Sequence, residues 1–231
     1  MMPMTNDGTT FKVNVTGSDI VTAILYPSAK KNRAGKTLIL GHGAGADQLS
    51  GFMRMVASGM AERGFDAMTF NFLYKEQKRG APDPKAKLEA CYRAVIDAAT
   101  KHRKLKGNKL FIGGKSMGGR IASQVAAEDS AGIEGLVFLG YPLHPPGRPD
   151  KMRDEHLPKI EAPMLFVQGS RDAFGTEDEI RAIIKKHRLS ATLFAIKGGD
   201  HSLKVPKSAG TNQQDIYQSV YDHILRWAEM I

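Results

Sequence analysis

An α/β fold, with a mostly parallel sheet covered by helices on both faces, is what this sequence predicts. Short apolar runs of strand length alternate along the chain with stretches of helical apolar spacing. Several of the runs end in glycine or polar residues, as central strands do where their carboxyl ends open onto a site. The chain has 231 residues, 42% of them hydrophobic, enough for one sizeable core and short for two, so residues 1–231 are expected to form one domain.

Residues 11–15 and 21–26 read as an opening pair of strands around the turn Gly17-Ser18-Asp19. A third run, 37–40, ends in His42-Gly43-Ala44-Gly45. Residues 52–63 follow as a helix closed by Gly64, and 65–72 as the next strand. From Pro84 to about Lys106 the spacing of Leu88, Cys91, Tyr92 and Val95 marks an apolar helical stripe. Strand 110–112 and helix 116–128 flank a glycine-rich turn, with Ile121 and Val125 on one helix face. Residues 135–139, 164–168 and 192–196 are further strand-like runs separated by helical material, and Ile216, Val220, Ile224 and Trp227 mark a final amphipathic helix. The proline-rich stretch 141–163 is expected to be a long loop or small cap on the active-site side.

The chemistry centres on that glycine-rich turn. Ser116 sits in Gly114-x-Ser116-x-Gly118, directly after a strand and before a helix. A serine hydroxyl is a poor nucleophile unless the backbone thrusts it toward a base, and a turn tight enough to do so needs neighbours without a Cβ. The following helix offers unpaired N–H groups to a developing oxyanion. Gly-Lys-Ser also closes phosphate-binding loops, but such a loop needs a glycine where this chain has Lys109, and Leu110, Phe111 and Ile112 form strand instead of cradle.

Two later strand ends supply the partners. Run 164–168 leads into Gly169-Ser170-Arg171-Asp172, and run 192–196 into Asp200-His201. Ser116, Asp172 and His201 thus come in the order nucleophile, acid, base. His201 would take the serine proton and Asp172 would fix the imidazole tautomer. The oxyanion donors are expected to be the N–H groups of Met117 and Ala44. Gly43, Gly45, Lys115 and His144 are the candidate substrate contacts. His42 precedes the serine and is expected to prop the oxyanion loop, and Asp200 to shape its turn. Asp150 and Asp154 stay open as alternative acids, because a carboxylate can reach a histidine from a neighbouring strand end.

Other side chains narrow the function classes. His102, His156, His187 and His223 lack paired ligand spacing, so neither a metal nor a cofactor is expected. Cys91 falls on an apolar helical stripe and reads as core. One cysteine excludes an internal disulfide and suits a reducing, cytoplasmic compartment. The opening Met-Met-Pro-Met-Thr-Asn-Asp-Gly has no leader-like apolar segment, and no run is long enough to span a bilayer. The net charge of +9 gathers at 101–109 and 181–188, where helix ends are expected, and reads as a solvated basic surface without nucleic-acid or membrane partners.

On these residues the chain resembles the α/β-hydrolases, over about Val21 to Trp227. Gly113-Gly-Lys-Ser-Met-Gly-Gly-Arg120, Gly140-Tyr-Pro-Leu-His-Pro-Pro-Gly147, Glu155-His-Leu-Pro158 and Asp200-His-Ser-Leu-Lys204 are similar to a compact branch. That branch contains a testis-expressed hydrolase-like protein and the hydrolase-like subunit of the NSL histone-acetyltransferase complex. The resemblance implies the same triad, a minimal cap and a cofactor-independent serine hydrolase acting on a carboxylic ester or related small acyl substrate. It extends distantly to dienelactone hydrolases, whose nucleophile is cysteine where this chain has Ser116, so esterase-like chemistry is the expectation carried over. The alternative is a binding or scaffold protein on the same fold, with a protein partner.

Overall fold

The computed structural model describes residues 8–231; residues 1–7, most of the stretch read for a leader, lie outside it. Eight strands form one sheet: β1 (Thr9–Thr16), β2 (Asp19–Tyr26), β3 (Lys36–Gly41), β4 (Phe65–Phe70), β5 (Lys109–Lys115), β6 (Ile133–Leu139), β7 (Met164–Gly169) and β8 (Ala191–Ile196). Their spatial order is β1-β2-β4-β3-β5-β6-β7-β8. Only β2 runs against the others, pairing antiparallel with β1 and β4, while β3 to β8 are parallel.

Period-two alternation feeds two cores. On β3, Ile39 points to one face and Leu38 and Leu40 to the other. The first face is covered by α3 (Lys85–Lys101), α4 (Met117–Glu128) and α5 (Glu177–His187), through Leu88, Tyr92, Val125 and Ile183. The second is covered by α1 (Gly51–Glu62) and α6 (Gln213–Glu229), through Val56, Met60, Ile224 and Trp227. Among the described residues no helix is long and apolar enough to cross a membrane.

Two elements, β4 and α3, depart from the sequence expectation. The strand expected over 65–72 stops at Phe70, because the Phe72 N–H turns to a histidine ring and a short helix, α2 (Leu73–Glu76), begins. Helix α3 ends at Lys101 instead of near Lys106; buried Leu105 folds back onto the core, and Gly107 at φ +86° turns the chain into β5. Residues 141–163 are irregular, with one short 3-10 turn at Leu157–Lys159, yet Tyr141, Leu143 and Leu157 are wholly buried in the core. Helix α5 ends in the basic run 181–188, where a helix end was expected, and starts at a capping box in which Thr176 and Glu179 satisfy each other's backbone N–H groups.

Backbones approach unusually closely between β3 and the start of α4. A Cβ on Gly118 would stand 2.1 Å from the Gly41 carbonyl oxygen. Gly118→Ala is therefore expected to lower stability by roughly 1–3 kcal/mol. Gly51→Ala, at a helical position with open space around it, should be neutral or slightly stabilising. Urea denaturation of the two variants checks the contrast.

Candidate active site

Ser116 follows β5 at φ +51°, ψ −118°, a conformation that costs on the order of 1–3 kcal/mol for a residue with a side chain. Its surroundings impose it. Gly114, at φ +150°, and Gly118 both press on the Gly41 backbone, where a Cβ would lie 2.2 and 2.1 Å from the Gly41 oxygen. The Ser116 N–H donates to the Leu139 carbonyl (3.2 Å). Below the turn the buried Tyr92 hydroxyl accepts the Gly113 N–H (3.0 Å) and lies 2.6 Å from the Gly113 carbonyl and 3.0 Å from that of Ile39.

The two other strand-end residues meet the serine. His201 Nε2 lies 2.8 Å from Ser116 Oγ, and His201 Nδ1 lies 2.7 Å from Asp172 Oδ2. Asp172 is 1% exposed, and its charge is held by hydrogen bonds. Oδ1 accepts the Phe174 N–H (2.8 Å), and Oδ2 accepts the Gln168 side-chain amide (2.8 Å). The Phe174 ring stacks on His201 with centroids 4.2 Å apart. With the carboxylate accepting from Nδ1–H, the imidazole presents an unprotonated Nε2 to the serine hydroxyl.

The loop after β3 is braced by His42. Its Nε2 accepts the Phe72 N–H (3.1 Å), so Nδ1 carries the proton and donates to the Gly43 carbonyl (2.8 Å). Burial pulls its pKa down to about 4, keeping the ring neutral. The Ala44 carbonyl accepts the Tyr74 hydroxyl (2.8 Å). The N–H groups of Ala44 and Met117 make no backbone hydrogen bond among the described residues. Gly43 packs beside Ser116 and Lys115, whereas Gly45 faces open space.

Lys115 sends its ammonium to the His201 carbonyl and stands 6.0 Å from the centre of the Phe52 ring. Burial draws its pKa down to about 8. It lines a cavity of about 400 Å³ with Gly43, Phe52, Lys204 and Tyr217; Ser116 is not among the lining residues and adjoins the cavity through Gly43, against which its Cβ packs. His144 is not among the residues of that cavity. Its Nδ1 lies 2.8 Å from the Pro145 carbonyl within the loop, and its Nε2 lies 3.1 Å from Glu179, which fastens the loop to α5.

The alternative acids are engaged elsewhere. Exposed Asp150 pairs with Arg148 (2.9 Å), and buried Asp154 with His187 (2.8 Å) and Lys186 (3.3 Å). His156 meets Ser123 (2.8 Å), His102 packs against Phe11, and His223 stacks on Phe194. Asp200 Oδ1 accepts the N–H groups of Ser202 and Lys204, shaping the turn that carries His201. Cys91 is buried, and its thiol is pushed up to about 12 by desolvation. No cluster of three or more metal-ligating side chains occurs among the described residues. Sequence reasoning gave no site role to Tyr92, Gln168 or Phe174. Only the polar Gln168 at the end of an apolar run carried a signal that could have been used.

A family model described as an alpha/beta hydrolase domain matches residues 34–229. The chain is also similar to an α/β serine hydrolase homologue from Coxiella burnetii, at 16% identity and TM-score 0.74 over 98% of this chain and 99% of that one. A lidless α/β serine hydrolase from Xanthomonas campestris matches at 17% identity and TM-score 0.74, covering 98% and 97% of the two chains. A dienelactone hydrolase from Anabaena variabilis matches at 20% identity and TM-score 0.71, covering 94% and 96%. At such identities the three likenesses show the fold.

The depressed His42 pKa has a consequence for stability. The folded ring stays neutral down to about pH 4, while the unfolded ring takes a proton below its ordinary 6.5. The unfolded state binds more protons between those values, so stability is full above pH 6.5 and falls as pH drops toward 4. The loss expected from His42 is about 3 kcal/mol. Urea titrations across this window should show a smaller fall in His42→Gln than in the wild type.

Proposed function

Because the chain belongs to the alpha/beta hydrolase domain family, we propose that it is a serine hydrolase cleaving a carboxylic ester or related small acyl substrate. The observation that carries this is the continuous chain from Ser116 Oγ through His201 to a buried, fully engaged Asp172. His201 Nε2 takes the hydroxyl proton as Oγ attacks the acyl carbon, and the imidazolium is held by Asp172. The N–H groups of Ala44 and Met117 receive the oxyanion. His201 then protonates the leaving alkoxide, and the acyl-serine is hydrolysed by a water that His201 deprotonates. Protein groups and water suffice for the cycle, so no cofactor enters it.

We place the chain in the branch containing the testis-expressed hydrolase-like protein and the NSL-complex subunit, on the strength of Gly113–Arg120 and Asp200–Lys204. A lone, buried cysteine supports a reducing, cytoplasmic setting. The reading takes residues 1–231 as one catalytic domain with a small-molecule acyl substrate and without nucleic-acid or membrane partners. A protein partner fits the scaffold alternative instead.

A fluorophosphonate probe and p-nitrophenyl acetate test the proposal. Labelling and turnover are expected in the wild type and should vanish in Ser116→Ala and His201→Ala. A folded wild type that neither labels nor turns over overturns it. Asp172→Asn should lower kcat by about 10⁴-fold, whereas Asp150→Asn, at an exposed site paired with Arg148, should leave kinetics unchanged. The reverse pattern would move the acid to Asp150.

A further inference from the structure

The cavity that adjoins Ser116 through Gly43 is lined mostly by carbon, with the Lys115 ammonium in its wall. Lys115 is half-buried, yet it makes no salt bridge among the described residues. Its partners are the His201 carbonyl and the face of Phe52. A lysine ammonium has three donors, and one carbonyl satisfies only one of them. The acidic groups nearest to it in charge, Asp172 and Asp200, are committed elsewhere: Asp172 to His201, Gln168 and the Phe174 N–H, Asp200 to the N–H groups of Ser202 and Lys204. A second cation, Lys204, lines the same cavity. Room for the Lys115 head group is conditional, since a Cβ on Gly140 would stand 2.9 Å from Nζ and 2.7 Å from the His201 oxygen.

A half-buried cation without a carboxylate partner, set in a mostly apolar cavity, is a site for an anion, and an acyl chain that ends in one would satisfy charge and walls together. We infer that the preferred substrates are esters of short dicarboxylic acids with one carboxylate left free, bound so that this carboxylate meets Lys115 while the ester carbonyl reaches Ser116. The inference rests on the serine-hydrolase reading and specifies its substrate class. Lys115 would then do two things, holding the His201 backbone and selecting for charge.

The matched pair monomethyl glutarate and dimethyl glutarate isolates that charge, because both present the same chain and the same scissile ester. In the wild type at pH 7, kcat/KM for the monomethyl ester should exceed that for the dimethyl ester at least tenfold. Lys115→Met should bring the ratio to one or below, and Lys115→Arg should restore part of it. Lys115 is protonated below about pH 8. The wild-type ratio should therefore fall between pH 7 and pH 9.5. A lysine that merely braced His201 would change both esters alike and leave the ratio where it was. A wild-type ratio near one, or turnover of neither ester by a protein that fluorophosphonate labels, overturns the substrate class and leaves the serine hydrolase standing. Absence of both labelling and turnover overturns the two together.

Discussion

The contact on which the site depends is one of backbone against backbone, where the end of β3 meets the turn into α4. Gly41, Gly114 and Gly118 stack with no side chain between them, and a Cβ on Gly114 or Gly118 would fall well inside van der Waals distance of the Gly41 carbonyl. That closeness forces the strained dihedrals of Ser116 and lifts its hydroxyl out of the sheet. Strain of this kind persists only where the surroundings over-determine it. Here the surroundings are the central strands of a parallel sheet buried on both faces.

A polar underframe carries the consequences outward. Tyr92 ties Gly113 of the nucleophile strand to Ile39 of β3, so the two strands that make the turn cannot shear apart. Gln168 holds the acid: its amide donates to Asp172 and faces the carbonyls of Tyr141 and Gly175, while its oxygen accepts the Tyr141 N–H. His42 holds the loop of Ala44 to the chain leaving β4. Each of these side chains is fully buried and hydrogen-bonded, which in a low-dielectric interior fixes geometry more firmly than apolar packing does.

The mostly parallel sheet, the helices on both faces and the residues at the strand ends were legible because each is written in local pattern, whereas the order of strands in the sheet was not. Ser116, Asp172 and His201 could be found from the residues directly after each apolar run. The underframe was not legible, because a tyrosine on an apolar stripe or a glutamine closing an apolar strand looks like any core residue until its partner, far along the chain, is known. His144 shows the converse. Its place after β6 put it on the correct edge of the sheet, but Glu179 of the unforeseen capping box on α5 turns its ring away from the cavity. Boundaries slipped where composition continues past structure: lysines prolong the helical pattern beyond α3, and Phe72 prolongs the apolar run beyond β4.

Ser116 and His201 lie 85 positions apart, and His201 is carried on the segment between β8 and α6. That separation sets an order in time. A chain leaving the ribosome exposes Ser116 and most of the parallel sheet well before His201 exists, and α6 must still come down on α1 before the second core closes. Until then the serine has an elbow but no base. The arrangement of Ser116, Asp172 and His201 is thus complete only after the sheet that carries the serine has been made.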